Sequence, residues 1–112
     1  MIERNYKRSK TMNTREVTDM ISARVHQTEP DAKVLLFGSR ARGEARPDSD
    51  WDVMVLLNDQ SKAGRWEIHE KLWDLGLDVN AEINPVVYRF SEWENKSFTP
   101  FYKNVMSEGI EL

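Results

Sequence analysis

Apolar and polar positions recur along this chain with two different periods, and each change of period marks a new element. Val17, Met20, Ile21 and Val25 return at three- and four-residue spacing, the stripe of an amphipathic helix. Thr14 offers an N-cap hydroxyl and Pro30 lies where a helix must stop, which predicts a helix over 14–28. Lys33-Val34-Leu35-Leu36-Phe37 is too short an apolar run for a helix and suits a strand covered on both faces. Residues 38–49 are rich in Gly, Ser, Arg and Pro and read as a loop with room for one helical turn. Asp52 to Leu57 is a second buried strand, closed by Asn58-Asp59. Ser61 to Leu75 predicts a second helix, with Trp66, His69, Leu72 and Trp73 on its inner face. Lys62, Arg65, Glu67, Glu70 and Lys71 mark its wet side, and Gly76 is its expected C-cap. Asp78, Asn80 and Glu82 then alternate with Val79, Ala81 and Ile83, the period of a third strand. That strand should be peripheral or bulged at Pro85, which has no N–H to give a ladder. Ser91-Glu92-Trp93-Glu94 has capping-box spacing. Thr99-Pro100 opens a last helix on Phe101, Val105 and Met106, ended by Gly109.

This order of elements is an α/β (α+β) domain, a small sheet of three or four strands with helices, whose strand order the pattern leaves open. The 112 residues suit a single domain over 1–112. Residues 1–12 carry Arg4, Lys7, Arg8 and Lys10 with little to bury, which reads as a solvated arm or a partner-docking arm. A net charge of −3 excludes a basic field spread over the whole surface for nucleic acid. The absence of cysteine excludes disulfide scaffolds, thiolate zinc sites and thiol nucleophiles. There is no apolar run long enough for a membrane span and no hydrophobic leader, so the expected location is cytoplasmic and no membrane partner is expected.

The loop between the first two strands concentrates the chemistry. Asp50 and Asp52 stand two apart at the mouth of a strand, so their carboxylates share a face. Two like charges so close raise one another's pKa unless a cation sits between them. Hard divalent ions such as Mg²⁺ take oxygen ligands and share their shell with substrate phosphates. Gly38-Ser39 ends the preceding strand, where free backbone N–H groups and a hydroxyl can cradle an anion. Arg40 and Arg42 add guanidinium forks that suit phosphate oxygens. Each element alone is common in turns. Their conjunction is more telling: Gly-Ser closing one buried strand, ten residues, then Asp-x-Asp opening the next.

The stretch Phe37-Gly38-Ser39 to Asp50-Trp51-Asp52 resembles the signature of the minimal nucleotidyltransferases of the DNA polymerase beta superfamily. The resemblance implies a small mixed sheet flanked by helices, the polymerase beta palm-like fold. It implies transfer of a nucleoside monophosphate from an NTP, most simply AMP from ATP, to a hydroxyl with release of pyrophosphate. Gly38 and Ser39 would contact the triphosphate, and Asp50 and Asp52 would bind two Mg²⁺ ions, with Mn²⁺ as the alternative. Metals about 3.5–4 Å apart clamp the attacking and leaving oxygens of such a displacement. A third carboxylate from a later strand usually completes the site and can serve as the base. Asp78 and Glu82 both qualify on the polar face of the expected third strand, with Glu82 preferred. Small relatives often accompany a helical, HEPN-like toxin as antitoxins, which implies a partner protein as neutraliser's target or nucleotide acceptor. If neither acid converges on the pair, the same fold would serve instead as a nucleotide-binding or partner-neutralising module with little turnover.

Other residues are expected to be structural. Trp51 should point away from the aspartates into the core, and Trp66, Trp73, Trp93 and Phe101 should be core. His69, on the apolar side of its helix, should be a packed or boundary histidine rather than a ligand, and His26 should lie at the surface near a helix end, where the dipole favours it. Arg46 and Asp48 read as a solvated loop pair.

Overall fold

The computed structural model describes residues 13–112. The expected arm over 1–12 lies outside the described residues. Helix α1 is Thr14–Thr28. Its cap is Asn13, one residue earlier than expected. The Asn13 side chain accepts the Glu16 N–H at 2.9 Å, while the Glu16 carboxylate takes the Asn13 N–H at 3.3 Å. Strand β1 is Lys33–Phe37, the one-turn helix α2 is Ser39–Arg42, and strand β2 is Trp51–Leu57. Helix α3, Arg65–Val79, leads to strand β3, Ile83–Arg89. The chain closes with helix α4 (Phe90–Glu94), helix α5 (Pro100–Glu108) and the two-residue strand β4 (Ile110–Glu111).

The sheet order is β3-β2-β1-β4. β1 runs antiparallel to both β2 and β4, whereas β2 and β3 are parallel, with α3 as the crossover. The sheet is mixed, and it is layered on both faces. On one side Val34, Leu36, Val53, Val55, Leu57, Ile83 and Val87 pack under Val17, Ile21 and Val25 of α1 and Ile68, Leu72, Leu75 and Val79 of α3. On the other, Leu35, Met54 and Leu56 meet Trp93 of α4 and Val105 of α5, with Phe37, Tyr88 and Tyr102 around them. Continuous apolar runs in β1 and β2 follow from this double coverage.

Three expectations change in the second half of the chain. The second helix runs four residues beyond Leu75, so Asp78 and Val79 belong to α3, not to a strand. Gly76 is therefore not a cap but a helix-interior residue. The chain leaving the helix folds back over it, and a Cβ there would lie 2.7 Å from the Ala81 carbonyl oxygen. The helix stops at Asn80, which takes the left-handed conformation at φ 54°. The inner face also differs: Ile68, Leu72, Leu75, Gly76 and Val79 are buried, whereas Trp66 and Trp73 are exposed. The third strand begins at Ile83, and Pro85 lies inside it in unbroken register with Val53. As an edge strand, β3 can carry that proline with no N–H to offer.

The short α4 is held by Glu92, whose carboxylate takes the Arg89 N–H at 2.8 Å and the Arg65 guanidinium at 2.8 and 2.9 Å. The cap thus sits two residues before the expected Ser91, whose N–H donates to Asp59. Thr99, Pro100 and Gly109 bound α5 as expected. Among the described residues no helix is long and apolar enough to cross a membrane.

Candidate active site

The conformational break between β1 and α2 builds one wall of the site. β1 ends with Phe37 opposite Asp52 of β2. Gly38 then turns the chain with φ at +76°, in the region that favours glycine. Its α-carbon is pressed so close to β2 that a Cβ would collide with Oδ2 of Asp52. Ser39 follows as the first residue of α2. The first donors into that turn are Ala41 and Arg42, both to the Gly38 carbonyl at 3.1 Å. The N–H groups of Ser39 and Arg40 precede them, where a helical turn leaves donors for other partners.

The other wall is the start of β2. Trp51 is buried, with Asp50 and Asp52 on the opposite side of the strand. The edge strand adds a side chain that sequence reasoning missed. Parallel register sets Asn84 of β3 beside Asp52, and its amide donates to Oδ2 of Asp50 at 3.0 Å. Burial pushes the Asp52 carboxyl above its ordinary value. The Asn84 amide pulls it back, and neighbouring Asp50 pushes it up again. Asp50, Asp52 and Asn84 are thus brought together around one point. Asn84 continues the even-numbered polar side of Asp78, Asn80 and Glu82; only the late start of the strand hid it.

The third acid is placed otherwise than expected. Asp78 sits on α3 rather than on a strand, and its carboxylate faces Arg24 at 3.7 Å. Glu82 is exposed and precedes β3 by one residue, its backbone carbonyl accepting the Trp51 N–H at 2.8 Å. Among the described residues no group of three acids or histidines is close enough to hold a metal ion.

The two arginines differ. Arg40 lies over the Trp51 ring at 4.0 Å and donates to the carbonyls of Arg46, Pro47 and Ser49. That guanidinium braces the loop that carries Asp50 rather than facing a phosphate. Arg42 donates to Glu44 at 2.8 Å and to Glu108 of α5 at 3.0 Å. It stands near enough to Asp52 to favour the carboxylate, while Glu108 disfavours it. Glu108, from the far end of the sequence, is a second neighbour that no local signal announced. Arg46 and Asp48 are exposed. His26 is half-buried, its Nε2 paired with the Ala32 carbonyl and its Nδ1 with the Ser22 hydroxyl.

The donor set fits a hard divalent cation. Two carboxylates share one face, and the Asn84 amide can turn its oxygen to the same point.

The nucleotidyltransferase domain family matches residues 19–112 of the chain. Among curated proteins, a bifunctional uridylyltransferase/uridylyl-removing enzyme of Pseudoalteromonas translucida is 35% identical over 65 residues. That match takes in 52% of this chain but only 7% of the relative's length. Among solved structures, a minimal nucleotidyltransferase superposes with a TM-score of 0.63 at 23% identity, over 91% of this chain and 98% of that one. A toxin–antitoxin structure with AMP-PNP gives 0.57 at 23% identity, over 83% and 69%. A nucleotidyltransferase of Sulfolobus solfataricus gives 0.53 at 16% identity, over 86% and 76%. With the family matched over most of the chain's length and the glycine–serine turn set against the aspartate pair, this chain belongs to the nucleotidyltransferase domain family.

Proposed function

We propose that the chain transfers a nucleoside monophosphate, AMP from ATP, to a hydroxyl and releases pyrophosphate. The observation that carries this reading is the contact of the Gly38 turn with the Asp52 carboxylate. On this reading the turn is an anion cradle lying directly against a cation-binding pair, the layout a metal–triphosphate complex requires. Asp50 and Asp52 would hold Mg²⁺, which when bound neutralises phosphate charge and favours in-line displacement. The backbone at Gly38 and Ser39 seats the triphosphate and fixes the α-phosphorus for attack by the acceptor oxygen. The P–O bond to pyrophosphate then breaks, and positioning supplies most of the rate. Arg42, anchored by Glu44 and Glu108, supplies positive charge beside the cradle. Glu82, exposed one residue before the strand that carries Asn84, is the group proposed to take the hydroxyl proton. The AMP-PNP bound in one toxin–antitoxin neighbour supports the adenine nucleotide, and that neighbour's assembly supports a partner protein as acceptor.

A second reading has its own observation. Asn84 occupies the register position beside Asp52, and an amide cannot accept a proton there. On that reading the domain binds nucleotide or neutralises a partner without turnover.

Melting temperature with ATP, with and without Mg²⁺, and pyrophosphate release separate the two. Transfer predicts a Mg²⁺-dependent rise and pyrophosphate with the acceptor present, both lost in Asp50→Asn, and release alone lost in Glu82→Gln. A rise with no pyrophosphate under any acceptor supports the binding module. No rise with ATP refutes both.

A further inference from the structure

We propose that the outer face of α3 is a docking surface for an amphipathic helix of a partner protein, one that carries lysine or arginine along its border. Trp66, Glu70, Trp73 and Leu77 follow one another at four-, three- and four-residue steps, which sets them in a single stripe along the helix. The stripe faces solvent: Trp66 is 63% exposed, Trp73 44% and Leu77 83%. The two indoles meet edge to face at 5.2 Å, with the His69 ring 5.9 and 5.5 Å from them. His69 Nδ1 is buried in this cluster with no hydrogen-bond partner. Exposed tryptophans preassembled into a rigid pair, with an unsatisfied polar atom beneath, are the composition of a binding hot spot. Nothing in the interior of the fold requires them, since Ile68, Leu72, Leu75 and Val79 already fill the inner face.

Charge selects the occupant. Glu67 and Asp74 lie along one border of the stripe and Glu70 lies within it. None of the three is in an ion pair among the described residues. A second copy laid antiparallel would bring the Glu67–Asp74 border against its own equivalent, and a parallel copy would face Glu70 with Glu70. Like charges so placed oppose self-association. The same carboxylates disfavour nucleic acid and an anionic lipid surface. They favour a helix with an apolar seam and basic flanks, the arrangement of helix-on-helix recognition. The surface reading does not depend on nucleotidyl transfer.

The test uses the full chain and two synthetic fifteen-residue amphipathic helices, matched to α3 in length. They share a leucine face, one with lysine borders and one with glutamate borders. Trp51 and Trp93 are buried, so a change in tryptophan emission on titration reports Trp66 and Trp73. The lysine peptide is expected to shift the emission to the blue and to bind about tenfold or more tighter than the glutamate peptide. Trp66→Ser with Trp73→Ser should weaken it by about tenfold or more, read by anisotropy of a labelled peptide. Glu67→Gln, Glu70→Gln and Asp74→Asn together should erase the preference between peptides. The melting temperature of each variant certifies its fold. The proposal is overturned if neither peptide binds, if both bind equally, or if the double serine variant binds like the parent. It is also overturned if the free chain sediments as a dimer that the double variant splits.

Discussion

Replacing Asn84 by aspartate probes the site most sharply, because it changes one amide group for a charge with almost no change in shape. In the native chain the Asn84 amide donates to Asp50 at 3.0 Å and favours the ionised form of Asp52. A hydrogen bond to a charged acceptor contributes about 1.5–3 kcal/mol, and exposure of this one brings it to about 1 kcal/mol. Asn84→Asp loses that bond and adds two like-charge contacts. At about 4 Å each costs about 1 kcal/mol with water-like screening and about 4 kcal/mol at an effective dielectric of 20. Asn84 is exposed and the aspartates are half-exposed, so the lower figure applies, giving about 3 kcal/mol in all with the hydrogen bond included. For a chain of this length about 1 kcal/mol moves the melting temperature by about 4 °C, so the variant should melt about 12 °C lower at neutral pH in EDTA. Asn84→Ala, which loses only the hydrogen bond, should melt about 4 °C lower. Carboxyls crowded this way have pKa values raised above those of the unfolded chain. The deficit is therefore present at neutral pH and fades as the pH falls toward the ordinary carboxylate range. Millimolar Mg²⁺ should close or reverse the gap, since three carboxylates bind the ion more tightly than two. Calorimetry with and without Mg²⁺ decides. Equal melting temperatures in EDTA, or the same response of variant and parent to Mg²⁺, would show that Asn84 does not share a site with the aspartates.

Three further outcomes follow from the packing. Gly76→Ala, which helix propensity alone would favour by about 1 kcal/mol, should instead destabilise by about 1–3 kcal/mol in urea denaturation because the Ala81 carbonyl occupies the space a Cβ needs. Burial, and then the nearby Arg65 charge, hold the His69 ring below its ordinary 6.5. The unfolded chain thus takes up a proton first, and stability present above pH 6.5 is lost as the pH falls below it. His69→Gln should flatten that slope where it sets in, as the pH falls through 6.5, and parallel curves would refute the assignment. Trp93 is fully buried against Tyr88, Phe101 and Tyr102, yet its indole N–H has no partner. Trp93→Ala should cost about 3–5 kcal/mol, while Trp93→Phe, which forfeits no hydrogen bond, should cost less than half as much; equal losses would contradict this account.

The parts of the molecule that the chain announces in advance are those whose signals are local and redundant. α1, β1 and β2 carry an unambiguous period and clear stops, and their bounds agree with the residue pattern to within a residue. The glycine–serine turn and the aspartate pair are legible because spacing alone sets them at the ends of adjoining antiparallel strands. Misreading began where two periods overlapped. Asp78 to Ile83 alternates like a strand, but Leu75, Gly76 and Val79 also continue a helical stripe, and tertiary packing under the sheet decided for the helix. Gly76 then looked like a stop because its real constraint, the backbone of Ala81 crossing above it, is not local. Trp66 and Trp73 looked like core because they are large and apolar, whereas Ile68 and Leu75 fill that place. Asn84 and Glu108 reach the site through parallel register and through a helix residue 66 positions from Arg42 in sequence, relations that no window of sequence contains.

Asn84 is followed by Pro85, and that neighbour governs how the site ages. Asparagine ordinarily decays to aspartate when the backbone nitrogen of the next residue attacks the side-chain amide and closes a succinimide ring. Proline's nitrogen carries no hydrogen and cannot make that attack. The position beside the aspartates is thereby shielded from spontaneous conversion to a third acid by this route, so the pairing of Asn84 with Asp50 is protected from the ordinary chemical ageing of asparagine.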